Sequence, residues 1–268
     1  MTDELSEDEL PATKQSNAKE DRHFVTALAR GLEILSCFRS GEKMLGNQEL
    51  ADRAKLPKST VSRLTYTLTK LGYLQYVDEA GKYRLGTASL ALGSAMLSKL
   101  DIRQYARPYM QELADFSHAT VSLGMRDRLS MIYVENCRSQ AALTLRLDVG
   151  ARIPIALTAM GRAYLAETSN TERNDILDRV RELDETKWPA IHEGVMRSVE
   201  EYQRLGCCTS FGDWQHDVNA IAVAFRPTNG SSILSINCGG PAFNLSSDFL
   251  LNEVKPRLLD LVERLRRL

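Results

Sequence analysis

The sequence predicts an α+β protein in two parts: a small winged helix-turn-helix near the N-terminus and a larger α/β domain behind it. Three observations carry that reading. A short helical stretch, a three-residue break and a longer helical stretch fall between residues 47 and 72. Two short alternating strands around a glycine turn follow directly. After residue 118 strand-length apolar runs mix with helices, an order that suits a sheet of sequential hairpins with helices on one side.

The first helix, over 24–38, is read from the apolar positions Val25, Leu28, Leu32 and Leu35 with Ile34 and Phe38, and Gly41 stops it. Asn47 is the expected N-cap of a second helix over 48–54, with Leu50, Ala51 and Ala54 facing inward. Leu56 and Pro57 break the pattern, and a third helix spans 58–71 and ends at Gly72. Strands are expected over 73–77 and 82–85, joined through Asp78 to Gly81, with Gly81 suited to a positive φ. Residues 87–100 are a small and apolar helix, and another helix covers 102–118. Beyond it, strands are expected over 120–126, 129–136, 143–147 and 153–156, then helices over 159–167, 171–183 and 195–205. Strands 220–225 and 233–238 flank an Asn229-Gly230 hairpin turn, and an amphipathic helix over 246–268 is kinked near Pro256.

Charge is distributed unevenly along these segments. Residues 1–22 hold three basic and seven acidic side chains and no aromatics, which reads as a disordered acidic tail. Residues 23–86 hold ten basic and six acidic side chains, whereas 87–268 are nearly balanced. The positive excess therefore coincides with the helix-turn-helix, where phosphate contacts supply non-specific affinity for double-stranded DNA.

On the third helix Val61, Leu64, Leu68 and Leu71 share one face, and Ser59, Arg63, Tyr66 and Lys70 share the opposite one with Ser62 beside them. Small hydroxyls followed by an arginine suit a helix whose N-terminal turns approach base edges in the major groove. The candidate DNA contacts are Gln48, Lys58, Ser59, Thr60, Ser62, Arg63 and Tyr66. On the hairpin they are Lys82 and Arg84, which alternate with Tyr83 and Leu85 and so point to one side.

Catalysis finds little footing. The four histidines are far apart and lack metal-ligand spacing, and no GxSxG, P-loop or GxGxxG is present. The five cysteines, Cys207 and Cys208 among them, read as reduced buried thiols. No metal, cofactor or enzymatic activity is expected. Absence of an apolar run of about 18 residues argues against a membrane span, and the acidic N-terminus argues against a secretory signal, so a cytoplasmic location is expected. Two rivals remain: an enzyme localised by its helix-turn-helix, and a winged helix that binds protein.

The chain resembles the IclR family of transcription regulators over about residues 23–268. The matching segments are ALARGLEILSCF, LADRAKLPKSTVSRLTYTLTKLGYL, KYRLG, GARIPIALTAMGRAYLA, VNAIAVAF and INCGGP, in that order. The resemblance implies a winged helix (23–86), a linker helix (87–100) and a GAF-like effector-binding domain (101–268). It also implies a homodimer or homotetramer on a pseudo-palindromic operator. The linker helix, with Ala88, Ala91, Gly93 and Ala95 on a small-residue face, would help to form the dimer. Family members bind small organic acids or aromatic compounds. That places an effector pocket at Thr158, Ala159, Met160 and Gly161, whose amides open a helix and favour a carboxylate, with Ser210, Ala220, Asn237 and Gly239 as further lining. Trp214 and His216 have two readings, an aromatic lid over the pocket or an ordinary surface or core role. Ala156 stands where many relatives have histidine, and positions 220, 237 and 239 carry alanine, asparagine and glycine where some acid-binding relatives have cysteine or serine.

Overall fold

The computed structural model describes residues 23–39, 42–139, 147–228 and 232–267. The acidic tail, Gly41, nearly all of the expected 143–147 strand and the Asn229-Gly230 turn lie outside the described residues.

Three helices, α1 (Thr26–Ser36), α2 (Asn47–Ala54) and α3 (Lys58–Lys70), enclose a small core of Ile34, Leu45, Leu50, Val61, Leu68 and Leu74. The N-cap of α2 is Gly46 rather than Asn47: the Glu49 carboxylate accepts the Gly46 N–H at 2.8 Å. Asn47 turns to α3 instead, donating to Ser62 Oγ at 3.4 Å and accepting from Thr65 Oγ1. Leu71 does not join the core. The chain reverses at Gly72 (φ +77°) and leaves Leu71 62% exposed, while Thr65 is buried in its stead. The α1 stripe also divides. Ile34 packs inward, but Val25, Leu28 and Leu32 form a second stripe facing solvent.

Strands β1 (Leu74–Val77) and β2 (Lys82–Leu85) pair antiparallel to make the wing. Its tip is a 3-10 turn closed by Gly81 at φ +62°. Next come α4 (Thr87–Leu97) and α5 (Asp101–Ser117); α4 buries no residue.

The larger domain is a six-stranded antiparallel sheet in the order β5-β4-β3-β8-β7-β6. Its strands are β3 (Thr120–Asp127), β4 (Ser130–Arg138), β5 (Arg152–Pro154), β6 (Cys208–Phe211), β7 (Val218–Phe225) and β8 (Leu234–Pro241). Between β5 and β6 lie α6 (Ala159–Glu167), α7 (Asn170–Arg181) and α8 (Trp188–Leu205). The chain ends with α9 (Ser247–Phe249), a π-helical turn (Leu250–Val254) and α10 (Lys255–Arg266). The wider π turn is the irregularity expected near Pro256, and it lies just before the proline.

Helices cover both faces of the sheet, not one. Met110 and Leu113 of α5 and Leu258, Leu261 and Val262 of α10 pack one face. Met160 and Ala163 of α6 and Val195 of α8 pack the other. The physical reason is visible in β7, whose run VNAIAVAF is apolar on both sides and buried along nearly its whole length. A bulge interrupts β3 and β4: Leu123 pairs with Glu135 and Gly124 with Tyr133, so Val134 is the extra residue. Among the described residues no helix is long and apolar enough to cross a membrane.

Candidate nucleic-acid interface and ligand cavity

Helix α3 buries Val61, Thr65 and Leu68 against α1 and α2, which turns its other side outward. Lys58, Ser59, Ser62, Arg63 and Tyr66 are exposed there, and Thr60 is half-buried. Lys70 sits 5.5 Å from the centre of the Tyr66 ring. Gln48 is exposed beside them, held to Asp52 at 2.7 Å. On the wing the two basic residues differ from free phosphate ligands. Lys82 Nζ lies 2.9 Å from Glu49, and Arg84 Nε donates to Gln75 at 3.0 Å. Glu49 thus caps α2 and holds the wing at once. A second ion pair, Arg53 with Glu42, braces the small domain and holds the Glu42 carboxyl down at about 2.

The larger domain contains a cavity between α6 and the sheet. Strand register assembles its floor. Ser210, Ala220, Gly239 and Thr120 are successive partners across β6, β7, β8 and β3, forming one transverse row of small side chains. A Cβ on Gly239 would meet that of Ala220 at 2.8 Å, so glycine keeps the trough open. Asn237 on the adjacent row, Tyr133 of β4, Leu147, Ile153 and Val218 complete the walls, and Trp214 from the β6–β7 loop lies over it.

At one end stands the first turn of α6. Thr158 caps it, accepting the Gly161 N–H at 3.2 Å and donating to the Pro154 carbonyl at 2.8 Å. The Arg162 N–H returns to the Thr158 carbonyl. This leaves the amides of Ala159 and Met160, both lining residues, without a helical acceptor. Across the cavity Thr120 Oγ1 and Asn237 Oδ1 are buried with no hydrogen-bond partner. Burial pushes the Tyr133 phenol up to about 12, with Ser122 and Asn237 beside its hydroxyl. A buried polar atom without a partner costs of the order of 1–3 kcal/mol, a cost that a ligand bearing the complementary atom removes. The space now present is about 30 Å³, roughly one water's share of liquid.

The structure therefore gathers Thr158, Ala159, Met160, Ser210, Ala220, Asn237 and Gly239 around one space. Gly161 is outside it. That glycine serves close packing: a Cβ there would lie 2.0 Å from the Ile155 carbonyl oxygen. His216 is exposed and does not line the cavity, so of the two expected lid residues Trp214 is the one that lines it. Sequence reasoning missed Thr120, Tyr133, Leu147, Ile153 and Val218. It also missed Arg162, a buried guanidinium that pairs with Asp213 and donates to the Ala156 carbonyl at 3.1 Å. That pair ties the Trp214 loop to α6. Thr120 opens β3 and carries no local signal of its place in the cavity.

The five cysteines are free and buried, and burial raises every one of their thiols above the ordinary range. They are protonated at neutral pH and poor nucleophiles. Among the described residues no group of three or more His, Cys, Asp or Glu side chains is arranged to hold a metal ion.

Comparisons with known proteins bear on both regions. Residues 27–78 match the IclR helix-turn-helix domain, and residues 94–267 match the IclR C-terminal domain of bacterial transcriptional regulators. The HTH-type transcriptional regulator TsaQ1/TsaQ2 of Comamonas testosteroni is 36% identical over 242 residues, which cover 90% of this chain and 87% of that protein. The crystal structure of an IclR family transcriptional regulator from Brucella abortus is 44% identical with a TM-score of 0.81, covering 94% of this chain and 95% of that one. An IclR homolog from Microbacterium hydrocarbonoxydans, solved with 4-hydroxybenzoate, shares the fold at 23% identity and a TM-score of 0.66, covering 89% of this chain and 99% of that one. Because both halves match in order, and because a relative this similar superposes along nearly the whole length, the chain belongs to the IclR family of transcription regulators, with a DNA-binding helix-turn-helix followed by an effector-binding domain.

Proposed function

We propose that this regulator binds a pseudo-palindromic operator as a homodimer or higher homo-oligomer, and that a small carboxylate, an aromatic acid in particular, controls it from the cavity beneath α6. In this reading residues 23–86 are the DNA head, 87–100 the linker and 101–268 the sensor. Helix α3 enters the major groove with Ser59, Ser62 and Arg63 nearest the bases. The observation that carries the ligand reading is the polarity of the cavity. Two first-turn amides at one end favour a carboxylate, and two unpartnered oxygens across from them, Thr120 Oγ1 and Asn237 Oδ1, favour a hydroxyl or amine. The 4-hydroxybenzoate held by the Microbacterium hydrocarbonoxydans relative has both groups, and is the first probe to try. The exposed stripe of Val25, Leu28 and Leu32 and the exposed apolar side chains of α4, Leu90, Leu92 and Met96, supply the surface for a second copy.

The test is calorimetric titration of 4-hydroxybenzoate and a panel of aromatic carboxylates, with Asn237→Leu as the control. Binding weakened about tenfold by that change, the worth of a hydrogen bond to a buried group, supports the reading; equal affinity in both proteins removes the cavity as the effector site. For the DNA head, Arg63→Ala is expected to weaken operator binding by about 1–3 kcal/mol in a fluorescence-anisotropy titration. Unchanged affinity would mean that Arg63 does not read a base.

A further inference from the structure

Glu135 of β4 is 5% exposed and is held by two arginines of α5. Arg103 Nη2 donates to its Oε2 at 3.1 Å, and Arg107 Nη1 to its Oε1 at 2.7 Å. Arg103 also reaches back along the chain, with Nη1 3.5 Å from the carbonyl of Leu97, the last residue of α4. One carboxylate on the sensor sheet thus holds the junction between the sensor and the arm that carries the DNA head.

The same short piece of β4 forms a wall of the cavity. Tyr133 lines it, and Asn136 donates to the Leu147 carbonyl at 2.6 Å, Leu147 being another lining residue. Between Tyr133 and Glu135 lies the Val134 bulge, so the chain passes within two residues from the cavity side of the sheet to the α5 side. Bulges are places where a strand re-aims its side chains without breaking the sheet. The clamp is also incompletely satisfied, because Arg103 Nε is buried without a partner.

The cavity admits about one water as it stands, so an aromatic acid enters only if a wall moves. A closed and an opened cavity would be the two states with unequal ligand affinity that any coupling requires. The Trp214 loop is tied to α6 through Asp213 and Arg162. The β4 wall does connect to the arm.

We propose that Glu135 is a positioning residue: the Arg103–Glu135–Arg107 clamp reports the state of the cavity to the α4–α5 junction, and hence to the DNA head. The inference rests on the cavity being the effector site, so its test fills the cavity in two ways. Ala220→Val forces two methyl groups into the trough and needs no ligand; 4-hydroxybenzoate at saturation is the second filler. Operator affinity is measured on a fragment selected from random DNA with the purified protein. The comparison is between the native protein and Glu135→Gln, which keeps the shape of the side chain and loses its charge.

In the native background, at least one filler changes operator affinity by about fivefold or more, within the usual range of allosteric coupling. In Glu135→Gln the unfilled protein binds operator as before, and the response shrinks to less than about twofold. A full response in Glu135→Gln overturns the proposal, and so does the absence of response to both fillers in the native protein. Should Ala220→Val act where 4-hydroxybenzoate does not, the clamp stands and the choice of aromatic acid fails. If Glu135→Gln does not fold, Arg107→Gln decides, because that side chain is 59% exposed and its loss spares the core. It is expected to at least halve the response, and an unaltered response sinks the idea.

Discussion

Helices α4 and α6 are built from much the same residues and have opposite fates. Both are rich in small and apolar residues: α4 reads TASLALGSAML, and α6 reads AMGRAYLAE with Arg162 and Glu167 as its charged members. In α6 every residue from Ala159 to Leu165 is buried; in α4 none is, and Leu90 is 70% exposed. A helix apolar all round normally lies inside a protein. The difference teaches that α6 finds its environment within one chain, between the sheet and α8, whereas α4 leaves its apolar side chains on the surface, where the proposed second copy would cover them. The stripe of Val25, Leu28 and Leu32 is exposed in the same way.

Substitutions can break this comparison, and the largest effect is expected on α4. Leu90→Lys puts a charge on the proposed interface. Burying a leucine is worth about 1.5–3 kcal/mol, and two-fold symmetry counts it twice, so dimer dissociation should strengthen by roughly a hundredfold to ten-thousandfold. Sedimentation velocity across a concentration series reads this out, and an unchanged distribution would remove α4 from any interface. Next is Gly161→Ala in α6, where the added carbon meets the Ile155 carbonyl. Stability should fall by about 3 kcal/mol, the upper part of the overpacking range, in urea denaturation. A loss below 1 kcal/mol would show that α6 can slide. The counterpart, Gly93→Ala in α4, meets nothing within 4 Å. It should raise helix stability by about 0.5–1 kcal/mol, and a loss of dimer affinity instead would sharpen the comparison by showing that a partner helix rests against Gly93.

The smallest effect concerns acid. Glu42 is held at about 2 in the folded head, below its ordinary value, so its stabilisation is complete above pH 4.5 and is lost as pH falls toward 2. The pair lies at the surface, where solvent and salt screen it, so its contribution is small. Hydrogen exchange resolved by segment should show the helix-turn-helix loosening in that window before the sensor sheet, and Glu42→Gln should remove the difference.

Much of this was legible from sequence, for reasons tied to particular residues. The spacing of Val61 and Leu68 in α3 and the β2 alternation set the head, and α6 has the predicted bounds because Thr158 is a capping residue and the helix that follows has no breaker. Helix α8 was read too short. Pro189 and Gly194 look like interruptions, yet Pro189 occupies the first turn, where its missing N–H costs nothing. Gly194 makes room for the Arg162 guanidinium, 3.0 Å from where a Cβ would stand. Strand β6 carries too few residues for a pattern. The cavity was half visible: its helix end follows from local chemistry, but Thr120 meets Gly239 only through strand pairing across more than a hundred residues of sequence, which no local pattern encodes. Lys82 looked free for phosphate, and the glutamate that holds it lies on another element.

Strand order has a consequence for biogenesis. The centre of the sensor sheet is β3 beside β8, so Thr120 waits for Gly239. Such distant pairing forms slowly, and on the ribosome it must await almost the entire polypeptide. The helix-turn-helix and α4, closed by short-range contacts, are complete long before. A nascent chain therefore exposes the apolar side chains of α4 while its sensor is still unmade, and if α4 is the proposed contact between copies, neighbouring chains on one messenger can pair before either sensor is complete.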